Sequence, residues 1–420
     1  MNASMRVAWF SPFPPVRSGI AAYSADIVPR LDPDIVVDRV AESDAHDFVW
    51  RERRHPHDLV VYQLGNARCH DYMWAYLVRY PGLVVLHDAR LHHARAGALL
   101  RDRRDDDYRR EFQYDHPGVR PEAADYAVEG LGGSIHYLWP MVRVVIRTAR
   151  LIAVHSPIVA ADLRDEFPGA AVAAIRMGVP APAVDAGARV ALRRALGLPH
   201  GAMVFAVFGR LATEKRIAAV LQSLAALSAD GRDVYVLIVG ETDGYPELPE
   251  QLARHGVADR VRVAGHVPDD AIAGYLAAAD ACLCLRWPTA KETSASWLRC
   301  LAAARATVIS DLAHLADIPA SVAMRVDLLD ENRSLELAMR RLTDDGRLRE
   351  ELGEAGNRYW SVHHTLDAMA EDYRRVLLQA AGCPVPTVDD LPSHFTDDYS
   401  GTARGVVSRF GLTVDVLRRR

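Results

Sequence analysis

Glu292 and Lys291 lie side by side in the stretch RWPTAKETSASWLRCLAAARATVIS, Arg286–Ser310. A carboxylate and an amine do chemistry only where the chain holds them against a ligand, so the elements around them decide their use. Ala281–Leu285 is apolar and reads as a short buried strand. Trp287-Pro288-Thr289-Ala290 breaks it, and Thr293 or Ser294 can cap a helix running to about Ala304. A second apolar strand, Thr307–Ser310, follows. Strand, loop, helix and strand make one unit of a parallel sheet. In such units the loop leaving the strand's C-terminal end faces the ligand crevice. The unpaired first amides of the helix point the same way and suit an anion.

The chain has 50 Lys plus Arg, yet Lys215 and Lys291 are its only lysines. Arg is a planar fork and Lys a compact point charge, so a drift toward Arg leaves Lys where only an ammonium serves. Lys215 belongs to Gly209-Arg210-Leu211-Ala212-Thr213-Glu214-Lys215-Arg216, between an expected strand, Met203–Phe208, and an expected helix, Ile217–Leu227. Gly209 permits close backbone approach, Thr213 can cap, and Arg210 and Lys215 bring two cations to the helix N-terminus. That combination suits a diphosphate.

A chain of 420 residues is too long for one core, and two domains with an appendage are expected. With 50% hydrophobic and 25% charged residues it reads as a soluble globular protein. A net charge of −5 argues against nucleic-acid binding through a general basic surface. There are five cysteines, Cys69, Cys282, Cys284, Cys300 and Cys383; Cys282 and Cys284 alternate along one expected strand without zinc-ligand spacing, and reduced core thiols are expected. The N-terminus lacks a signal-peptide pattern. No window reaches the roughly 20 apolar residues of a spanning helix, so a cytoplasmic location is expected.

In the first half, strands are expected at Arg6–Phe10, Ile35–Val37, Leu59–Gln63, Leu83–Leu86, Leu151–Val154 and Ala171–Ile175. Between the first strand and a helix over Ile20–Leu31, with Ser18 as its cap, lies a Pro-rich loop ending in Gly19. It lacks the glycines of a dinucleotide fingerprint. Asp38 is expected in the turn ending the second strand, Asp32-Pro33-Asp34 in another turn, and a helix over His70–Arg79. His87-Asp88 ends the fourth strand, at the edge where sites cluster. His92 and His93 follow on a helix without forming a metal set. Residues 90–130 are rich in Arg and Asp, which reads as a solvated, salt-bridged face or as a rim for an anionic acceptor or membrane surface. Gly178–Pro182 reads as the interdomain linker, and helices dominate from Glu331 to Ala381 before a tail.

In SPFPPVRSGIAAYS, LVVLHD, IAVHSPIVAADLRDEFPGAAVAAIRMGVP, VFGRLATEKR, VRVAGHVPDDAIAGYLAAADACLCL and the Glu292 stretch, the chain resembles family 4 of the retaining GT-B glycosyltransferases. The resemblance spans roughly Met5 to Leu378. It implies an α/β fold of two Rossmann-like domains facing across a cleft: an acceptor-side domain over 1–180, a donor domain over 181–360, and a crossing helix and tail over 361–420. It places that helix at Asn357–Ala381. It implies a nucleotide-diphosphate sugar as donor, a saccharide, lipid-linked or small-molecule acceptor, and no metal or other cofactor.

Carried over, Arg210 and Lys215 match the pair that neutralises the donor diphosphate. Glu292 matches the first Glu of E-x7-E, which touches the donor sugar, with Lys291 and Thr293 beside it. Ser294, Ala295 and Ser296 lie where amides meet the phosphates. Gly19 matches the N-terminal loop glycine, His87 the histidine near the reaction centre, and Val267 the nucleobase position. The ribose-gripping second Glu is replaced by Cys300, which is expected to face the ribose side of the cleft. Gly-Phe-Gly is replaced by Thr293-Ser294-Ala295, and the double glycine by Ser18-Gly19. Competing readings are a non-catalytic sugar-nucleotide binder, an epimerase or phosphorylase of the same fold, and, more distantly, a nicotinamide oxidoreductase.

Overall fold

The computed structural model describes residues 4–31, 33, 35–183, 187–397, 406 and 408–410. Among these, twelve strands form two six-stranded sheets, and every pairing between them is parallel. The first sheet contains β1 (Met5–Phe10), β2 (Ile35–Val40), β3 (Leu59–Leu64), β4 (Leu83–Leu86), β5 (Leu151–Val154) and β6 (Val172–Ala174). The second contains β7 (Met203–Phe208), β8 (Val234–Val239), β9 (Val261–Gly265), β10 (Ala281–Cys284), β11 (Ala306–Ser310) and β12 (Met324–Val326). Helices cover both faces of a parallel sheet, so its strands read as unbroken apolar runs. β3, β4, β5, β7 and β11 are buried along their whole length.

Strand order fixes where a ligand can sit. The first sheet runs β2-β1-β3-β4-β5-β6 and the second β12-β11-β10-β7-β8-β9. In each, the order reverses at one place: between β1 and β3, and between β7 and β10. A crevice opens beyond the strand C-termini at such a switch point. Ser11–Gly19 leaves β1, Gly209–Arg216 leaves β7, and Leu285–Ser294 leaves β10, so these loops line the crevices.

The chain passes between the sheets twice, and the two passages touch. The first is the extended segment around Met177–Val179. The second is the corner at His364–Thr365, between helices Gly346–His363 and Leu366–Gly382. Val179 N donates to His364 O at 3.0 Å, and His364 Nδ1 lies 2.9 Å from Met177 O. The expected single crossing helix is therefore two helices, because the ring of His364 and the cap Thr365 turn the chain there. Thr365 Oγ1 accepts from Ala368 N at 3.2 Å.

The last helix then lies against the first sheet. Met369, Tyr373, Val376, Leu377 and Ala380 are fully buried, the larger ones contributing about 1.5–3 kcal/mol each. Tyr373 Oη lies 2.7 Å from Tyr23 Oη and accepts from Gln63 Nε2 at 3.1 Å. Arg176 Nε donates to Asp372 at 2.7 Å.

Local differences from the sequence reading have local causes. β2 runs on to Val40, so Asp38 lies inside a strand, paired with His57 at 2.8 Å and Arg6 at 3.1 Å. The helix expected over His70–Arg79 shrinks to Met73–Leu77, because buried His70 turns inward to bond Gln63 O at 2.8 Å. Thr213 does not cap the helix Ile217–Ala229; Thr213–Lys215 forms a 3₁₀ turn and Arg216 adopts φ +56° before the helix starts. The Arg- and Asp-rich segment carries the expected pairs, including Arg104–Asp107 at 2.8 Å. Asp32 and Asp34, and residues 398–405, 407 and 411–420 of the tail, lie outside the described residues. No helix among the described residues is long and apolar enough to cross a membrane.

A Cβ on Gly178 would sit 2.4 Å from Thr365 O, so only glycine lets the two passages lie together. Gly178→Ala is expected to cost about 1–3 kcal/mol in urea unfolding, the range for overpacking. Gly201→Ala, where a Cβ meets nothing within 4 Å, serves as the neutral control.

Candidate functional site

Gly209 leaves the end of β7 at φ +87°, a conformation that favours glycine. A Cβ there would lie 3.2 Å from Lys215 Nζ and 3.5 Å from Ser296 Oγ. The ammonium and the hydroxyl thus converge on one bare backbone position. Lys215 Nζ donates to Phe208 O. Desolvation of the ammonium, and then the charge of Arg286, pull its pKa down to about 8. Ser296 stands in the first turn of the helix Ala295–Ala302, whose cap, Ser294, accepts from Trp297 N at 3.3 Å. Two apolar partners drive this helix onto the sheet, Trp297 and Leu298, both buried. Its free amides, Ser296 and Lys215 together form an anion cradle at the switch point.

Two cavities meet at this cradle, sharing Phe208 and Ser296 as walls. The smaller, about 40 Å³, is lined by Lys215, Arg286, Thr289, Glu292, Thr293, Ser294 and His314, among others. That is room for a few waters and not for a sugar ring. Glu292 is fixed there from two sides. Arg286 Nε lies 2.8 Å from its Oε1, while Thr289 Oγ1 and Ala290 N each donate to Oε2 at 2.9 Å. A carboxylate offers about four acceptor positions, so a ligand hydroxyl can still be taken.

The larger cavity, about 500 Å³, lies between the two sheets. Gly19 and its loop line one side; Arg210, Val267, Ala295 and Arg299 line the other. Arg210 is held by Asp243 at 2.8 and 2.9 Å and remains about two-thirds exposed. A Cβ on Gly19 would meet no protein atom within 4 Å, so its smallness keeps cleft space open.

Three expected site residues fall elsewhere. Lys291 pairs with Asp162 of the first half and lines a separate cavity of about 120 Å³. Its backbone adopts φ +58°. Cys300 is fully buried, its Sγ 4.0 Å from Cys284 Sγ, and lines neither cavity; burial pushes its thiol pKa up. His87 is buried behind Tyr23 and lies 2.8 Å from Gln63 Oε1. Burial, then His155, hold it neutral, and it lines neither cavity.

Other residues that the sequence reading did not single out stand at or near the site. Arg286 enters the small cavity with Glu292. Asp88, whose carboxyl is pushed up to about 7 by burial and then by Glu292, accepts from Asn66 N at 2.8 Å. It is a second strand-end carboxyl near Glu292. The Glu292 loop is also bonded to the first half, through Ala89 N to Ala290 O at 2.9 Å. Tyr137 donates to Glu214, whose carbonyl accepts from Trp287 N at 2.8 Å. Arg299 reaches the large cavity from three residues beyond Ser296, a helical spacing visible in the sequence.

Residues 202–345 match the family model described as "Glycosyl transferases group 1". The matched span contains the whole of the second sheet. The chain is 33% identical over 93 residues to 2-deoxystreptamine glucosyltransferase of Streptomyces kanamyceticus, covering 22% of this chain and 24% of that protein. It is 26% identical over 194 residues to alpha-D-kanosaminyltransferase of the same organism, covering 45% and 49%. It thus spans at most about half the length of these curated relatives.

The fold is GT-B. HepE of Anabaena, solved in complex with UDP and glucose, superposes with TM-score 0.64 at 16% identity over 89% of this chain and 99% of that one. Sucrose-phosphate synthase of Thermosynechococcus elongatus gives 0.61 at 14% identity over 89% and 98%. The span that matches the family model contains Gly209, Lys215, Glu292, the Ser294-capped helix and Arg299, so the cradle lies wholly within it.

Binding of inorganic pyrophosphate, measured by calorimetry at pH 7, separates the two lysines. Lys215→Met is expected to weaken it by about 1.5–3 kcal/mol, the worth of a charged hydrogen bond. Lys291→Met is expected to leave it unchanged.

Proposed function

We propose that the protein is a retaining glycosyltransferase that moves a sugar from a nucleoside-diphosphate sugar to an acceptor hydroxyl without a metal ion. The observation that carries the reading is the convergence of Lys215, Ser296 and free helix amides at Gly209. The diphosphate sits in that cradle, with Arg210 adding charge from the large cavity. The nucleoside then occupies the large cavity, toward Val267, and the sugar points toward Glu292. The UDP-glucose and UDP complexes of HepE and the sugar-transferring relatives support this assignment.

Leaving-group charge is the main demand of the reaction, and fixed cations with oriented amides meet it. The departing β-phosphate accepts the acceptor's proton on the face it leaves, so the new bond keeps the anomeric configuration. Glu292 takes a sugar hydroxyl with its spare acceptor position while Arg286 holds its charge in place. The small cavity requires the Glu292 loop to shift for the sugar to enter, and its bonds to Ala89 and Asp162 are the ones that give. The acceptor approaches from the first-half side, past Tyr137 and Trp287.

The decisive experiment incubates the protein with a panel of nucleotide sugars and acceptors in excess EDTA, with products identified by mass spectrometry and NMR. A retained anomer is expected; an inverted product, or strict metal dependence, overturns the mechanism. Glu292→Gln keeps shape and removes charge, so kcat is expected to fall at least about tenfold with a much smaller change in UDP affinity. Lys215 carries its charge below about pH 8 and loses it above. UDP affinity should therefore decline as pH rises from 7 to 9.5, with proton uptake on binding at the upper end. In Lys215→Met that decline should disappear.

A further inference from the structure

We propose that Asp26, on the first-half helix Gly19–Leu31, is the specificity-determining carboxylate that accepts the two hydroxyls of the donor's ribose. The inference rests on the nucleotide reading above and concerns how the nucleoside is recognised, by the half of the protein that does not hold the diphosphate.

The order of groups along the cleft follows from covalent structure. With the diphosphate at Ser296 and the small cavity closed around Glu292, the nucleoside extends into the large cavity, and the ribose is its first unit. One helical turn covers about 5.4 Å, so Arg299, three residues beyond Ser296, stands beside that unit. Arg299 lines the large cavity with its side chain 19% exposed, and Asp269 is 3.3 Å from it.

Asp26 lines the same cavity from the other side, two helical turns beyond Gly19. No hydrogen bond or ion pair within the described residues engages its carboxylate. Burial pushes its pKa up, and the charges of Arg299 and Arg30 only partly oppose this. A partly desolvated carboxylate without a partner is costly, and a ligand that donates hydrogen bonds relieves the cost. A ribose cis-diol presents two O–H donors on adjacent carbons, matching one carboxylate. Its oxygens can in turn accept from the spare N–H groups of Arg299. Cys300, on the neighbouring face of the same helix, is buried and unavailable.

The experiment measures dissociation constants of UDP and GDP, and of their 2′,3′-dideoxy counterparts, for the full chain and for Asp26→Ala and Asp26→Asn, with thermal unfolding as a fold check. The wild type is expected to bind the better ribonucleotide at least tenfold more tightly than its dideoxy form. Asp26→Ala should bring the ribonucleotide down to the dideoxy level and leave the dideoxy form within twofold. Asp26→Asn, the same size and without charge, should fall between.

Equal losses for both sugar forms, or no loss, overturn the proposal; so does an altered UDP-to-GDP preference with the sugar discrimination intact, which assigns Asp26 to the base. Lys215→Ala should weaken ribo and dideoxy forms alike. That result together with an indifferent Asp26 rejects the ribose role and leaves the nucleotide reading standing. A wild type that binds none of the four nucleotides rejects both.

Discussion

A lysine ammonium stripped of most of its water is the constraint around which this structure is arranged. Pulling the pKa of Lys215 down to about 8 means that keeping the charge at neutral pH costs about 3 kcal/mol. The fold bears that cost because β7 and β10 open a crevice between them, and the Ser294-capped helix directs its free amides to the same point. An anion entering there relieves the desolvated charge without reorganising the protein. The cradle is preorganised, and this is the form of electrostatic assistance that a leaving diphosphate needs.

The second constraint is mechanical. Both passages between the sheets run together where Gly178 meets the Thr365 carbonyl. The Glu292 loop is also bonded to the first half, at Ala89 and Asp162. Both are individually weak, since a partly solvent-accessible ion pair contributes at most about 1 kcal/mol and a hydrogen bond about 0.5–1.5 kcal/mol. A ligand seated in the cradle can exchange them for contacts of its own.

Much of the fold was legible because parallel strands, buried on both faces, announce themselves as apolar runs between capped helices. β7, β10 and the Ser294 cap stand where the residues put them. The cradle was legible for the same reason, since Gly209, Lys215 and Ser296 are fixed by local geometry. What failed depended on contacts distant in sequence. Lys291 turns to Asp162, 129 residues away. Asp38 is held inside β2 by His57 and Arg6, and His87 by Gln63. Cys300 failed by rotation: successive residues on a helix point 100° apart, so motif spacing selects position 300 while the docking of Trp297 and Leu298 turns position 299 to the cleft.

That rotation also bears on the carboxyl groups. In the small cavity the second half supplies Glu292, whose oxygens are shared among Arg286, Thr289 and Ala290. The first half supplies Asp88, beside it, with a carboxyl that titrates near 7 because burial and the charge of Glu292 both resist its ionisation. A general base for an inverting attack must be ionised and open to the acceptor. Asp88 is bonded to Asn66 N and lines neither cavity, so it fits that task poorly. Near neutral pH an Asp88 that is only partly ionised repels Glu292 less than a full carboxylate would.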